Sequence, residues 1–234
     1  MRVIAADRTK RLGRSLVCAG LALLPLMTAV AEEDPWEGVN RAIFRFNDTL
    51  DTYFLKPVAK GYQAITPQFF EDGVHNAYRN IGDVGNLAND LLQAKFHDAG
   101  VDSSRLLLNS TMGVLGFFDV ATKMGLDRND EDFGQTLGAW GVQSGPYVVL
   151  PFFGPSTVRD AGGLVVDSYT KPYPYMDDDI RTRNIMFGLN VVDTRASLLS
   201  AEKLITGDKY VFIRNAYLQN REFKVQDGKV EDDF

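Results

Sequence analysis

The sequence predicts a mostly α-helical chain forming one domain, with no sizeable sheet. Three observations carry that prediction. Apolar residues recur at steps of three and four through most of the chain. Helix-start and helix-stop signals bracket those runs. Strict alternation never lasts more than a few residues.

The elements follow in order. Asp34-Pro35-Trp36-Glu37 is a start signal, with a cap candidate, a proline at the first helical position and a glutamate three residues after the cap. Val39, Ile43, Phe46, Leu50 and Tyr53 then share one face, and Lys56-Pro57 reads as the stop. Thr66-Pro67 opens a second helix, with Ile65 and Phe70 spaced as a hydrophobic staple. Its stripe is Phe70, Val74, Ala77, Ile81, Val84, Ala88 and Leu91. A third helix begins near Asp102 and includes Leu106 to Leu108, Met112 and Leu115. Another runs from about Ile180 through Ile185, Leu189, Val192, Ala196 and Leu199 and ends at Gly207. The last, Lys209 to Phe223, follows an Asp208 cap. No internal repeat and no boundary-length linker is present, so one domain is expected over residues 32–227, with an acidic tail at 228–234.

One segment breaks the helical pattern. Phe133 to Val158 holds 26 consecutive residues without a charge, among them five glycines and three prolines. Such a backbone cannot make a continuous spanning helix. Non-helical backbone at membrane depth is tolerated only where protein covers it or where it lines a wet cavity. Within this segment, GPYVVLPFFGPSTVRDAGG sets Tyr147, Val148, Val149, Leu150, Phe152 and Phe153 between Pro146, Pro151 and Pro155. Those prolines argue against a central strand. A shorter uncharged run, Leu106 to Phe118, also pairs apolar bulk with glycine, at Gly113 and Gly116.

The first 31 residues read as a secretory signal peptide: five Lys/Arg, an apolar run, then Ala29-Val30-Ala31 ahead of Glu32. Without them the chain keeps 20 basic and 30 acidic residues, a formal net charge of −10. That balance argues against nucleic acid and against electrostatic capture by anionic lipid. The only cysteine, Cys18, lies in the leader, preceded by Val17 where a bacterial lipobox needs a small residue. No disulfide is expected in the mature chain.

Catalytic signatures are missing. There is no G-x-S-x-G elbow, P-loop or H-E-x-x-H motif. His75 falls off the apolar stripe and reads as a solvated surface residue, and His97 as a loop residue. Two histidines with no cysteine partner do not make a zinc site. Asp127 to Asp132 opens like a calcium loop, but Asp132 stands where glycine is needed and Gly138 where glutamate is. It reads instead as an acidic connector capping a helix near Phe133. Asp177 to Asp179 reads as negative charge at the start of the Ile180 helix. Ser156 reads as an N-cap rather than a nucleophile. Arg159-Asp160, the first charged pair after the uncharged run, is either an ion pair closing the apolar portion or a polar contact for a lipid headgroup. Neither an enzyme activity, a cofactor nor a metal is expected.

DPWEGVNRAIFRFND at 34–48, LLNSTMGVLGFFDVA at 107–121, FGQTLGAWGV at 133–142 and GPYVVLPFFGPSTVRDAGG at 145–163 resemble the VacJ/MlaA phospholipid-binding proteins of Gram-negative outer membranes. The resemblance covers about Asp34 to Phe223. It implies a compact helical disc with a Gly/Pro-rich apolar loop segment, lying in the inner leaflet of the outer membrane on its periplasmic face. Its implied partners are phospholipids, an outer-membrane porin and a periplasmic lipid carrier. The implied function removes mislocalised phospholipids from the outer leaflet through an amphipathic channel, preserving lipid asymmetry. By position it implies a channel and loop set of Gly141, Gln143, Gly145, Tyr147, Leu150, Phe152, Phe153, Arg159 and Asp160. Gln143 stands where the family often has glycine. Asn40, Arg45 and Phe46 would form the channel side of the first helix, and Phe117, Phe118 and Trp140 would face the membrane. Family members commonly carry a lipid-modified N-terminal cysteine; here no lipid anchor is expected. The alternative is a helical, porin-associated structural adaptor without lipid passage.

Overall fold

The structure is a computed structural model that describes residues 34–170 and 179–228. The leader, Cys18, Asp177, Asp178 and all of the acidic tail but Gly228 lie outside those residues. From Asp34 onward the chain forms one compact unit. It is mostly helical, and its sheet among the described residues is one two-stranded hairpin.

Helix α1 (Glu37–Leu50) does not stop at Lys56-Pro57. A π turn, Asp51–Leu55, carries it directly into α2 (Lys56–Ile65). The Lys56 N–H bonds to the Asp51 carbonyl, five residues back, and Leu50, Asp51, Leu55 and Lys56 keep right-handed helical dihedrals. A proline inside an α-helix clashes with the carbonyl four residues before it. The wider π turn relieves that clash, so Pro57 becomes an early residue of α2 rather than a breaker. At the N-terminus Trp36 is the cap residue, and Asp34 Oδ1 accepts from the Trp36 N–H at 3.1 Å. The helix therefore starts two residues later than the proline signal predicts.

Helix α3 (Gln68–Leu92) packs along α4 (Phe96–Thr111). The period read from the sequence is correct, but no residue of the stripe is buried: Val74, Ala77, Ile81 and Ala88 are half-buried. Phe70, Val84 and Leu91 are exposed, as are Val39, Phe46, Leu50 and Tyr53 of the first rod. The predicted staple residues Ile65 and Phe70 are both exposed too. What α3 buries is Gly73, Asn80, Asp83, Asn86 and Asp90, which recur at helical spacing, together with Glu71 and Asn89. Helix α4 answers with Ala99, Asp102, Arg105 and Asn109. Asp102, the expected start of this helix, lies fully buried inside α4, which begins six residues earlier at Phe96. In water an amphipathic helix turns its apolar stripe inward. Here polar and charged side chains fill the contact between the helices, and large apolar ones lie exposed.

Met112 and Leu115 are not helical continuations of α4. Val114, Leu115 and Gly116 take φ of +55°, +57° and +87°, a left-handed run that turns the chain sharply before α5 (Val120–Lys123). A β-branched residue at positive φ is strained by about 1–3 kcal/mol, yet Val114 and Leu115 stay exposed.

Helices α6 (Phe133–Ala139) and α7 (Val158–Thr170) pack through glycine. A Cβ on Gly163 would sit 2.5 Å from the Gly134 nitrogen and 2.8 Å from its Cα, backbone atoms that cannot swing aside. Gly163→Ala is expected to destabilise by about 1–3 kcal/mol. Thermal unfolding of the purified variant checks this, with Gly162→Ala as the control because its Cβ meets nothing within 4 Å. As predicted, Asp132 caps α6, its carboxylate accepting from the Gln135 N–H. Asp179 caps α8 (Ile180–Ser197) and Asp208 caps α9 (Lys209–Val225) in the same way. Helix α8 ends before Gly207, and a 3-10 turn (Ala201–Leu204) lies between. Ser156 is not a cap: it belongs to a strand, and the Asp160 N–H instead finds Thr157 Oγ1 at 3.2 Å.

Candidate functional site

The Gly/Pro-rich segment forms an antiparallel hairpin, β1 (Tyr147–Leu150) and β2 (Gly154–Thr157), in register from Tyr147↔Thr157 to Leu150↔Gly154. Pro155 sits in the short second strand, a position proline tolerates at a sheet edge. Tyr147 and Val149 point inward, against Tyr210 of α9 and, with it, Phe44 and Tyr217. Phe152 and Phe153 form the exposed tip, and Phe152 has φ +68°. The Phe152 ring meets Phe46 of α1 edge-on, centroids 5.4 Å apart.

Two asparagines of α1 hold the other edge of β1. Asn40 Nδ2 donates to the Tyr147 carbonyl at 3.0 Å, and its Oδ1 accepts from the Val149 N–H at 2.9 Å. Asn47 repeats this with the Leu150 carbonyl and the Phe152 N–H, both at 2.9 Å. Seven helical residues rise about 10.5 Å, and three extended residues span about 10 Å. The two amides therefore meet the strand three residues apart and stand in for a third strand.

Beneath the hairpin lies a buried charge network. Arg221 of α9 binds both oxygens of Asp132, contacts Asp160 through Nη2 at 3.0 Å, and donates to Gln135 Oε1 at 3.1 Å. Asp160 also accepts from the Tyr217 hydroxyl at 2.7 Å and from Arg159 Nε at 2.9 Å. Burial pushes the Asp160 carboxyl up, but Arg221, Tyr217 and Arg159 together hold it below the ordinary carboxylate range. Burial and the Asp160 charge raise the Tyr217 hydroxyl. Gly134 makes room for the guanidinium, since a Cβ there would lie 2.4 Å from Arg221 Nη2. A cavity of about 190 Å³ opens beside this network. Leu150, Phe153, Pro155 and Leu164 supply an apolar wall, and Asp160, Tyr217 and Arg221 a polar one.

A larger cavity, about 760 Å³, lies between α2, α3, α8 and the 3-10 turn. His75 belongs to it rather than to the open surface: Nδ1 is 2.8 Å from the carboxylate of buried Asp193. His97 lies in the first turn of α4, not in a loop, and is well exposed. Among the described residues no group of three His, Cys, Asp or Glu is placed to hold a metal ion.

The hairpin thus brings together Asn40, Phe46, Tyr147, Leu150, Phe152 and Phe153, with Arg159 and Asp160 in the network below. Both of the last two are buried, so neither reaches the surface as an exposed ion pair. Arg45 stays exposed on α1. Gly141 and Gly145 both take positive φ, +86° and +68°, and Gln143 is exposed between them. That loop is tied to α7, because Arg159 donates from its backbone to the Ser144 carbonyl at 3.1 Å. Trp140 is exposed and bonds the Leu92 carbonyl at 3.1 Å. Phe117 and Phe118 sit with Phe69 and Phe70 of α3, and the Phe117 ring fills the notch left by Gly73.

Sequence reasoning missed Asn47, Gln135, Tyr217 and Arg221. Signals existed for them: Asn47 lies two turns after Asn40, and Tyr217 and Arg221 lie one turn apart on α9.

Comparisons with known proteins bear on the whole described chain. The model of the family described as MlaA lipoprotein matches residues 32–224. The chain is 35% identical over 205 residues to the Escherichia coli (strain K12) "Intermembrane phospholipid transport system lipoprotein MlaA", covering 85% of this chain and 80% of that one. It is 33% identical over 210 residues to the protein of the same name from Haemophilus influenzae, covering 84% and 81%. A solved structure described under "Structural basis for maintenance of bacterial outer membrane lipid asymmetry" superposes with a TM-score of 0.72 at 32% identity. That match covers 83% of this chain and all of the other.

Proposed function

Since this chain belongs to the MlaA lipoprotein family, we propose that it is an exported component of intermembrane phospholipid transport that preserves outer-membrane lipid asymmetry. The working unit is residues 32–227 behind a cleaved leader of 1–31. It sits in the inner leaflet on the periplasmic face of the outer membrane, beside a porin and without an acyl anchor at Cys18. Phospholipid misplaced in the outer leaflet passes through an amphipathic path at the hairpin and goes on to a periplasmic carrier. No bond is made or broken in this passage.

One observation carries the reading: the inversion of the helices, apolar outside and Asn/Asp/Arg inside. No described helix is long and apolar enough to cross a membrane, so the apolar surface suits lateral contact with acyl tails. The 190 Å³ cavity adds walls of both kinds, with Leu150 and Phe153 opposite Asp160 and Arg221. A lipid needs that pairing, because tails and headgroup must be accommodated together. Gly141, Gln143 and Gly145 form the loop beside this path, and Asn40 with Phe46 fixes the hairpin's position.

Photocrosslinkers placed at Leu150, Phe153 and Gln143 in native membranes test the reading. Lipid adducts at Leu150 and Phe153 are expected, in excess of those at exposed Glu222 on α9. Protein adducts alone at all three positions would overturn lipid passage and leave a porin-bound adaptor.

A further inference from the structure

We infer that the 760 Å³ cavity between α2, α3, α8 and the 3-10 turn binds a zwitterionic phosphoethanolamine group, the headgroup of an aminophospholipid. The inference rests on the transport reading above and names the lipid class that this second site selects.

Several charged groups of the cavity already have partners. Lys56 Nζ pairs with Glu202 Oε1 at 2.7 Å, and Arg195 Nη2 contacts the other oxygen of Glu202 at 2.8 Å. Lys56 and then Arg195 hold the Glu202 carboxyl down to about 2. His75 occupies one oxygen of Asp193, and the Tyr62 hydroxyl lies 3.5 Å from the other. Asp72 accepts from Gln68 at 2.8 Å. Three lining groups remain. Lys60 and Lys203 make no ion pair or hydrogen bond among the described residues. The Glu71 side chain also has no partner there, although Glu71 is only 9% exposed.

Glu71 is mostly covered by its neighbours, but its carboxylate opens onto the cavity with no protein partner among the described residues, so a cationic donor entering the cavity can reach it. Lys60 of α2 and Lys203 of the 3-10 turn, both on the cavity lining, offer the opposite charge, and they are exposed enough to meet a ligand without first losing a partner. The unused complement is therefore one unpartnered carboxylate and two accessible cations. A phosphoethanolamine group matches it in sign and number: an ammonium with three donors for Glu71, and a phosphate for Lys60 and Lys203. An anionic headgroup without an amine, such as phosphoglycerol, would satisfy the lysines and leave Glu71 unmet.

The test uses the purified mature chain in detergent, offered equimolar phosphatidylethanolamine and phosphatidylglycerol, with retained lipid read by native mass spectrometry. Retention of phosphatidylethanolamine is expected to exceed that of phosphatidylglycerol by about fivefold, the scale of one well-placed ion pair. Glu71→Gln, which keeps size and shape, should erase the preference while leaving phosphatidylglycerol retention unchanged. Lys60→Ala with Lys203→Ala should lower retention of both lipids. Soluble glycerophosphoethanolamine should displace the retained lipid from the unaltered protein, a readout that requires no variant to fold. Equal retention of the two lipids, or an unchanged preference in Glu71→Gln, overturns the headgroup inference alone. Retention of neither lipid overturns the transport reading with it. Binding of glycerophosphoethanolamine without either lipid would assign the site to a soluble aminophosphate and overturn its role in lipid selection.

Discussion

Arg221→Met is expected to remove about 3–5 kcal/mol of stability, a large part of what a domain of this size possesses. Arg221 is the cation around which α6, α7 and α9 are assembled. Its guanidinium neutralises Asp132 and Asp160 together and donates to Gln135. Methionine keeps the side chain's length and apolar stem but strands the buried Asp160 carboxylate with only Arg159 and Tyr217. The pH dependence has a definite sign. Asp160 has a depressed carboxyl in the folded protein, so the stability it contributes is present above the ordinary aspartate range and is lost as pH falls through its folded value. Without Arg221 that depression shrinks, and the deficit of the variant should narrow as pH is lowered from 7 toward 4. Chemical denaturation of both proteins across that range measures it. A loss under about 1 kcal/mol at pH 7 would mean that hairpin packing, not the ion network, holds these helices.

Asp102→Asn should act in the opposite direction, raising stability by about 1–3 kcal/mol at pH 8. Asp102 is fully buried between α3 and α4, and neither carboxylate oxygen has a hydrogen-bond partner. Burial, then the neighbouring charges of Asp83 and Asp90, push its carboxyl up to about 8. Burial likewise raises Asp83, and Asp90 to about 6. A folded value above the unfolded one means that stability is fully present below about pH 4 and is lost as pH rises toward 8. Unaltered protein should therefore weaken steadily over that interval, and the asparagine variant, with nothing to ionise at 102, should weaken less. Urea midpoints at pH 5 and pH 8 decide the matter. An unchanged slope would show that Asp102 does not titrate in the folded state.

Much of the helical architecture is legible in the sequence, because spacing and cap residues are local signals. Asp132, Asp179 and Asp208 cap as their positions predict, and α3 keeps its period over its whole length. The sense of each stripe is not local. Periodicity says that Phe70 and Leu91 share a face, but only the environment decides whether that face is core or exterior. Pro57 misleads for a related reason: a π turn costs one residue of register, and nothing in the sequence announces it. The hairpin was hidden because its edge partners are not strands but the amides of Asn40 and Asn47. Of the site, the hairpin residues and Arg159-Asp160 could be named from the chain, whereas Arg221, 61 positions beyond Asp160, is joined to it only by folding. His75 looks solvated on the linear pattern because its partner, Asp193, lies 118 residues away.

The π turn at Asp51–Leu55 sets a phase between the two halves of one rod. Each residue of a regular helix advances the side chains by about 100°, so one extra residue in a turn delays everything beyond it by that angle. On the near side of the delay, Asn40 and Asn47 meet the hairpin; on the far side, Lys56, Lys60 and Gln63 meet the large cavity. A straight α-helix of the same sequence would put one of these sets roughly a quarter-turn off its target. The single rod thus works as an angular spacer that aims one helix at two differently placed sites.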